Sequence, residues 1–139
     1  MKKTFAVFVS VVMFSCSAQK TKDVPQKVKD VFSKQYPQAS EVKWDKEAEG
    51  YEVSFDLNEV DYSLLIDSDG NVLETEVEIK SNELPSVAQE YLNKNYAGKK
   101  VKEYAKITDA KGQVSYEVEV GGVDLMFDSK GNFLKQIDK

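Results

Sequence analysis

The chain has 139 residues, a formal net charge of −5 and a hydrophobic share of 41%, which suits one ordinary domain or two very small ones. It has no histidine, and all 19 basic residues are lysine, so histidine triads, histidine metal sites and arginine forks on phosphate are excluded. A pI near 4.9 also argues against a nucleic-acid binder, which needs a basic face.

The N-terminus reads as an export signal. Lys2 and Lys3 precede an apolar run from Phe5 to Phe14, broken only by Ser10, and the small residues Ser15, Cys16, Ser17 and Ala18 follow. Charge, short apolar core and small-residue cleavage zone, in that order, describe a secretory signal. The run is about ten residues, whereas a spanning helix needs about 20. Two cleavage sites compete. Ser15-Cys16 resembles the end of a lipobox, giving a signal over 1–15 and a lipidated Cys16, although Met13 and Phe14 depart from the usual residues. Ordinary cleavage after Ala18 gives a signal over 1–18. The expected location is the periplasm, or the outer membrane through acyl chains on Cys16, the one membrane attachment expected. Cys16 is the only cysteine, so no internal disulfide can form and the exported domain must rest on its core.

The remainder is a duplication. Val24-Pro25 and Leu84-Pro85, sixty positions apart, each open a helical pattern: Val24, Val28, Val31 and Phe32 in one, Leu84, Val87, Ala88, Tyr91 and Leu92 in the other. Proline suits a first turn because its missing N–H would be unpaired there anyway. Tyr36-Pro37 and Tyr96-Ala97-Gly98 stop the two helices. The period then falls to two. Val42 and Trp44 share one side of a strand, Glu49-Gly50 turns, and Tyr51 to Leu57, Tyr62 to Ile66 and Leu73 to Ile79 alternate. The second copy predicts strands over Val101 to Ile107, Tyr116 to Val120, Val123 to Phe127 and Phe133 to Ile137. Turns fall at Lys111-Gly112 and Gly121-Gly122. Asp67-Ser68-Asp69-Gly70-Asn71 matches Asp128-Ser129-Lys130-Gly131-Asn132 at an offset of 61, and Tyr51-Glu52-Val53 matches Tyr116-Glu117-Val118 at 65. The expected fold is α+β: a tandem repeat, over 19–80 and 81–139, of one helix followed by a four-stranded antiparallel meander. Each helix covers one sheet face and leaves the other freer.

The Val-Pro or Leu-Pro helix start, the Tyr-Pro helix end, the Tyr-Glu-Val strand and the Asp-x-x-Gly-Asn hairpin resemble the PepSY-like family of small exported bacterial proteins, related in fold to the beta-lactamase inhibitor protein. The resemblance spans Asp23 to Gln136. It implies tandem helix-plus-sheet units, mostly of unknown function, with an inhibitory role in distant relatives only. No inhibitor motif carries over to residues of this chain.

No catalytic, metal or cofactor site is expected. Asp67-x-Asp69-Gly70-Asn71 has oxygens at alternate positions, as calcium sites do, but the glycine comes early and Lys130 replaces the middle acid in the second copy. The motif reads as a turn. Glu74, Glu76 and Glu78 would share a sheet face about 7 Å apart and read as a solvated row, or more weakly as an acidic patch for a basic partner. Ser54, Ser63 and Ser115 lack any context for a Ser–Lys dyad.

The aromatics Trp44, Tyr51, Tyr62, Tyr104 and Tyr116 either pack beneath the helices or, Trp44 above all, face out as partner anchors. Periodicity without register leaves both open. Lys43, Lys46, Lys102 and Lys106 would keep the strands soluble. The functional expectation is a monomeric, non-enzymatic module whose sheet surface binds an unknown protein or peptide, with inhibition as one use. The alternative is a structural or envelope-stress protein that sequesters a ligand or acts like a chaperone. An exposed Trp44 in an apolar patch would favour the first; a face carrying only charges would favour the second.

Overall fold

The computed structural model describes residues 23–139. The expected signal sequence, its expected cleavage site and Cys16 lie outside the described residues. Two helices, α1 (Gln26–Gln35) and α2 (Ser86–Asn95), accompany the strands β1 (Ser40–Lys46), β2 (Tyr51–Leu57), β3 (Val60–Ile66), β4 (Val72–Glu78), β5 (Val101–Asp109), β6 (Val114–Val120), β7 (Val123–Asp128) and β8 (Phe133–Asp138). The fold is the expected α+β arrangement of helix and antiparallel meander, twice. The chain divides into two compact units at Leu73/Glu74. None of the described helices is long and apolar enough to cross a membrane.

Both helices start from proline. The Pro25 and Pro85 carbonyls accept from Val28 and Lys29, and from Gln89, so the first turn closes on a residue with fixed φ and no N–H of its own. Both end where a tyrosine N–H, Tyr36 or Tyr96, donates to the carbonyl four residues back; Pro37 cannot extend the first.

In the first unit α1 lies on the β1–β2–β3 meander. Trp44 pairs with Val53, and Val53 with Leu64. These three share a face with Phe55 and Ile66, and Val24, Val28 and Phe32 of the helix segment close over them. Phe32 stands edge-on to Trp44 and Phe55, at 5.5 and 5.0 Å between ring centres. The strand β1 carries a bulge between Ser40 and Lys43, with Glu41 at a positive φ of 52°, which leaves Val42 exposed beside the buried Trp44. Bulges of this kind blunt an edge strand against further pairing.

In the second unit Val118, Val120, Leu125 and Phe127 face Leu84, Ala88 and Leu92. Leu92 stands where the first unit has Phe32. The aromatic weight moves instead to Tyr91, which stacks on Phe133 at 4.7 Å and meets Phe127 edge-on. From Glu74 onward β4 pairs with β5, so this ladder runs from β4 to β8. The β7–β8 hairpin tip reaches the start of α2: a Cβ on Gly131 would stand 2.8 Å from Pro85 Cβ and 2.9 Å from the Ala88 nitrogen.

Candidate functional site

All five aromatic residues singled out in the sequence lie on the helix sides. Trp44 is buried against Phe32, and Tyr62 stacks on Phe55 at 5.4 Å. Tyr51 is half-buried, with the Lys46 ammonium 4.0 Å above its ring. These three join one core and the half-buried Tyr104 and Tyr116 join the other. Parity explains it: each shares its strand face with a residue such as Val53 or Val118 that a helix covers.

The helix-free face of the second unit is built differently. Glu117 is paired with Ala105 on one side and Met126 on the other. Glu119 is paired with Glu103 and with Asp124, and Glu76 with Ile107. Directly paired residues point the same way, so these side chains, with Glu74 and Glu78 from the same strand, form one carboxylate-rich face lined by Ala105, Ile107 and Met126. Lysines contribute Lys102, Lys139 and, opposite Met126, Lys135.

The row Glu74, Glu76 and Glu78 does share a face, but it is not solvated. Glu76 is 2% exposed and its two neighbours are half-buried. Glu117 is 6% exposed and Asp124 fully buried. Such burial is costly unless a carboxylate is paired or neutralised.

Asp124 and Glu117 meet that cost in different ways. The Lys139 ammonium lies 2.8 Å from Glu119 Oε2 and 3.1 Å from Asp124 Oδ1, while Lys102 binds Glu119 Oε1 at 2.7 Å. Neither Asp124 oxygen has a hydrogen bond, so its contact with Lys139 is an ion pair without hydrogen-bond geometry. Burial raises the Asp124 carboxyl, and Lys139 holds the rise in check. In Glu119 burial is outweighed by the hydrogen bonds of Lys102 and Lys139, and its pKa falls. In Lys139 the two carboxylates outweigh burial, and the ammonium is held more firmly charged. Glu117 has no such partner at Oε2, which is sealed from solvent without a hydrogen bond. Burial first, then the charge of Asp124, pushes its pKa up to about 8 against the pull of Lys139; Glu103 and Glu74 add to the rise.

The first unit repeats part of this. Glu52, aligned with Glu117, is buried opposite Leu65, and Ser63, aligned with Asp124, is buried beside it in the next strand.

The aspartate hairpins are turns. Asp67 Oδ1 accepts from the Asp69 and Asn71 amides and its Oδ2 from Asn71 Nδ2. Asp128 does the same with Lys130 and Asn132. Asp109 caps its own turn through Lys111 and Gln113. Among the described residues no group of three or more side chains has a metal-holding arrangement.

Sequence reasoning missed Glu117, Glu119, Asp124 and Lys139 as a cluster. The available signal was the Tyr-Glu-Val triplet, which places the same acid between apolar residues in both repeats.

No curated protein matches the chain. Among solved structures it resembles a "putative periplasmic" protein of Bacteroides eggerthii (TM-score 0.73, 19% identity, covering 81% of this chain and 87% of that one). It also resembles a DUF2874 family protein of Bacteroides uniformis (TM-score 0.71, 21% identity, 81% and 88% covered). A third is a BLIP-like protein of Bacteroides fragilis (TM-score 0.64, 25% identity, 83% and 86% covered). A family model described as "Putative beta-lactamase-inhibitor-like, PepSY-like" matches residues 15–74 and again 59–135. With both repeats matched and their helix-plus-meander fold in place, the chain belongs to this PepSY-like family.

Proposed function

We propose that this chain is an exported, non-enzymatic module that binds a protein or peptide on the helix-free sheet face of its second unit. The observation that carries the reading is the burial of Glu76, Glu117 and Asp124 on a face that α2 does not cover. A fold gains nothing by burying carboxylates where apolar residues would pack, and perturbed acids gathered on one surface mark functional sites more often than structural ones. The charge of that face selects a basic partner. The sequence features of an export signal, and the description of the B. eggerthii relative, support a location in the periplasm; Cys16 would supply the lipid anchor.

Anchoring by exposed aromatics gives way here to charge complementarity, because Trp44 is buried. That burial also favours a second reading, a structural or ligand-sequestering envelope protein without a tight macromolecular partner. Acid–base catalysis by Glu117 is disfavoured because its Oε2 is closed to solvent.

The test is capture from envelope extract of the native cell with an antibody against the chain. The binding reading predicts a stoichiometric partner that Glu78→Lys with Glu103→Lys abolishes and Glu90→Lys on α2 leaves bound. No partner, at a sensitivity that recovers a micromolar control complex, would favour the second reading.

A further inference from the structure

The cluster around Asp124 already holds a cation supplied by the chain itself. The Lys139 ammonium sits between Glu119 and Asp124 at 2.8 and 3.1 Å. Its side chain keeps 31% of its surface exposed, while Asp124 is fully buried. Lys139 therefore reaches into the cluster from solvent and can leave it without disturbing a packed core. Beside it, Glu117 is more than nine-tenths buried, lies within the electrostatic reach of Asp124, Lys139 and Glu103, and leaves Oε2 unbonded. One ammonium is thus shared between two carboxylates, one of them fully buried.

We propose that Glu119 and Asp124 form a subsite for one lysine or arginine side chain of a partner protein, and that Lys139 fills it in the unbound chain and is displaced on binding. This deepens the binding reading and rests on it. An ammonium or guanidinium fits better than a metal ion: the present occupant is an ammonium, and no metal-holding arrangement exists among the described residues. The surrounding carboxylates Glu74, Glu76, Glu78 and Glu103 add attraction for a basic partner and raise its rate of encounter. Exchange of one ammonium for another keeps Asp124 paired throughout, so the buried charge is never left bare. It also makes Lys139 a competitor. A partner must outbid a tethered occupant, so weakly basic surfaces are rejected and only one that supplies further contacts displaces it.

The test is nuclear magnetic resonance titration of the isotope-labelled full chain with a short synthetic peptide alternating glycine and lysine. The matching glycine–glutamine peptide and calcium chloride alone serve as controls. The lysine peptide should shift the Glu117, Glu119 and Asp124 signals and move the Lys139 ε-methylene signal to its free-solution position. Lys139→Ala should bind the peptide about fivefold more tightly, because a partly exposed competing ion pair is gone. Glu119→Gln, in a residue that tolerates some exposure, should weaken it by a similar factor and guards against misfolding of an Asp124→Asn variant. Shifts scattered over acidic residues of both units, with Lys139→Ala unchanged, would overturn the proposal, as would displacement of Lys139 by calcium and not by the peptide. The two readings fail separately. A partner captured equally by wild type, Lys139→Ala and Glu119→Gln removes the subsite and leaves the binding module, whereas no captured partner at all removes the module whatever the peptide does.

Discussion

Glu52 and Glu117 occupy the same place in their repeats: each is buried on the helix-free side of its strand, opposite a large apolar residue of the next strand, Leu65 for one and Met126 for the other. Only the second has the buried aspartate beside it. Where Glu117 has Asp124 as a neighbour, Glu52 has Ser63; burial first, and then the charge of Asp124, pushes Glu117 up to about 8.

Stability should therefore fall as pH rises from about 4.5 to about 8. Glu117 is raised from 4.5 to about 8 by burial and by Asp124, with Glu103 and Glu74 adding and Lys139 opposing. The folded chain holds that proton where the unfolded chain has lost it. The resulting stability is complete below about 4.5 and is lost as pH rises through about 8, a swing on the order of several kcal/mol. Urea melts across this window should show the midpoint falling with pH, and Glu117→Gln should flatten the slope. An unchanged slope in the variant would assign the titration elsewhere. Asp67 and Asp128 act with the opposite sign. Hydrogen bonds from Asn71 and Asn132 lower their pKa values, so their contribution is lost as pH falls through the carboxylate range.

Lys139 should matter more than Lys102, although both bind Glu119. Lys102 is 72% exposed and pairs with Glu119, whereas Lys139 also pairs the fully buried Asp124. Lys102→Met should cost no more than about 0.5 kcal/mol. Lys139→Met should cost about 1–3 kcal/mol, because a buried carboxylate loses its counter-charge. Equal costs in thermal melts would mean that Asp124 does not depend on Lys139.

The hairpin tip gives a cleaner steric test. Gly131 and Gly112 both have positive φ, 88° and 79°, but nothing lies within 4 Å of a Cβ built on Gly112, while one on Gly131 meets Pro85 and the Ala88 nitrogen below 3 Å. Gly112→Ala should cost about 1 kcal/mol, the backbone penalty alone. Gly131→Ala should cost about 2 kcal/mol more, since it forces α2 away from the hairpin. Similar losses in the two variants would show that this close approach is not rigid.

Trp44→Ala should destabilise the first unit by about 3–5 kcal/mol. Its edge-on contact with Phe32 should appear as coupling of about 1 kcal/mol in a double-mutant cycle with Phe32→Leu. A neutral Trp44→Ala would place the tryptophan at the surface in solution.

The elements were legible because their signals are local. Proline-started helices at Pro25 and Pro85, the two-residue period of Tyr51 to Leu57 and the paired Asp–Asn hairpins each sit within a few residues. The choice of face was not local. Tyr51 and Glu52 alternate in sequence as anchor and solvated acid would, and only the pairing of Trp44 with Val53 beneath Phe32 shows that the helix takes the aromatic side. The acids of β4 misled for the same reason. Glu76 is buried on a face it shares with Ile107, which pairs with it from more than thirty residues later in the chain. Lys139 was invisible as a cluster member, because its partners Glu119 and Asp124 are brought to it by strand register. The bulge at Glu41 has no sequence signal, since nothing in glutamate asks for a positive φ.

The account's central claim is that the helix-free face of the second unit is the one that meets a partner. Carbodiimide labelling of carboxylates, read by mass spectrometry on the free chain and on the chain captured with its partner, tests it directly. The prediction is protection of Glu74, Glu78, Glu103 and Glu119 in the complex, with Asp30 and Glu90 on the helices labelled as before. Protection of Asp30 and Glu90, with the β4 and β5 acids still reactive, would put the partner on the helices and contradict the account.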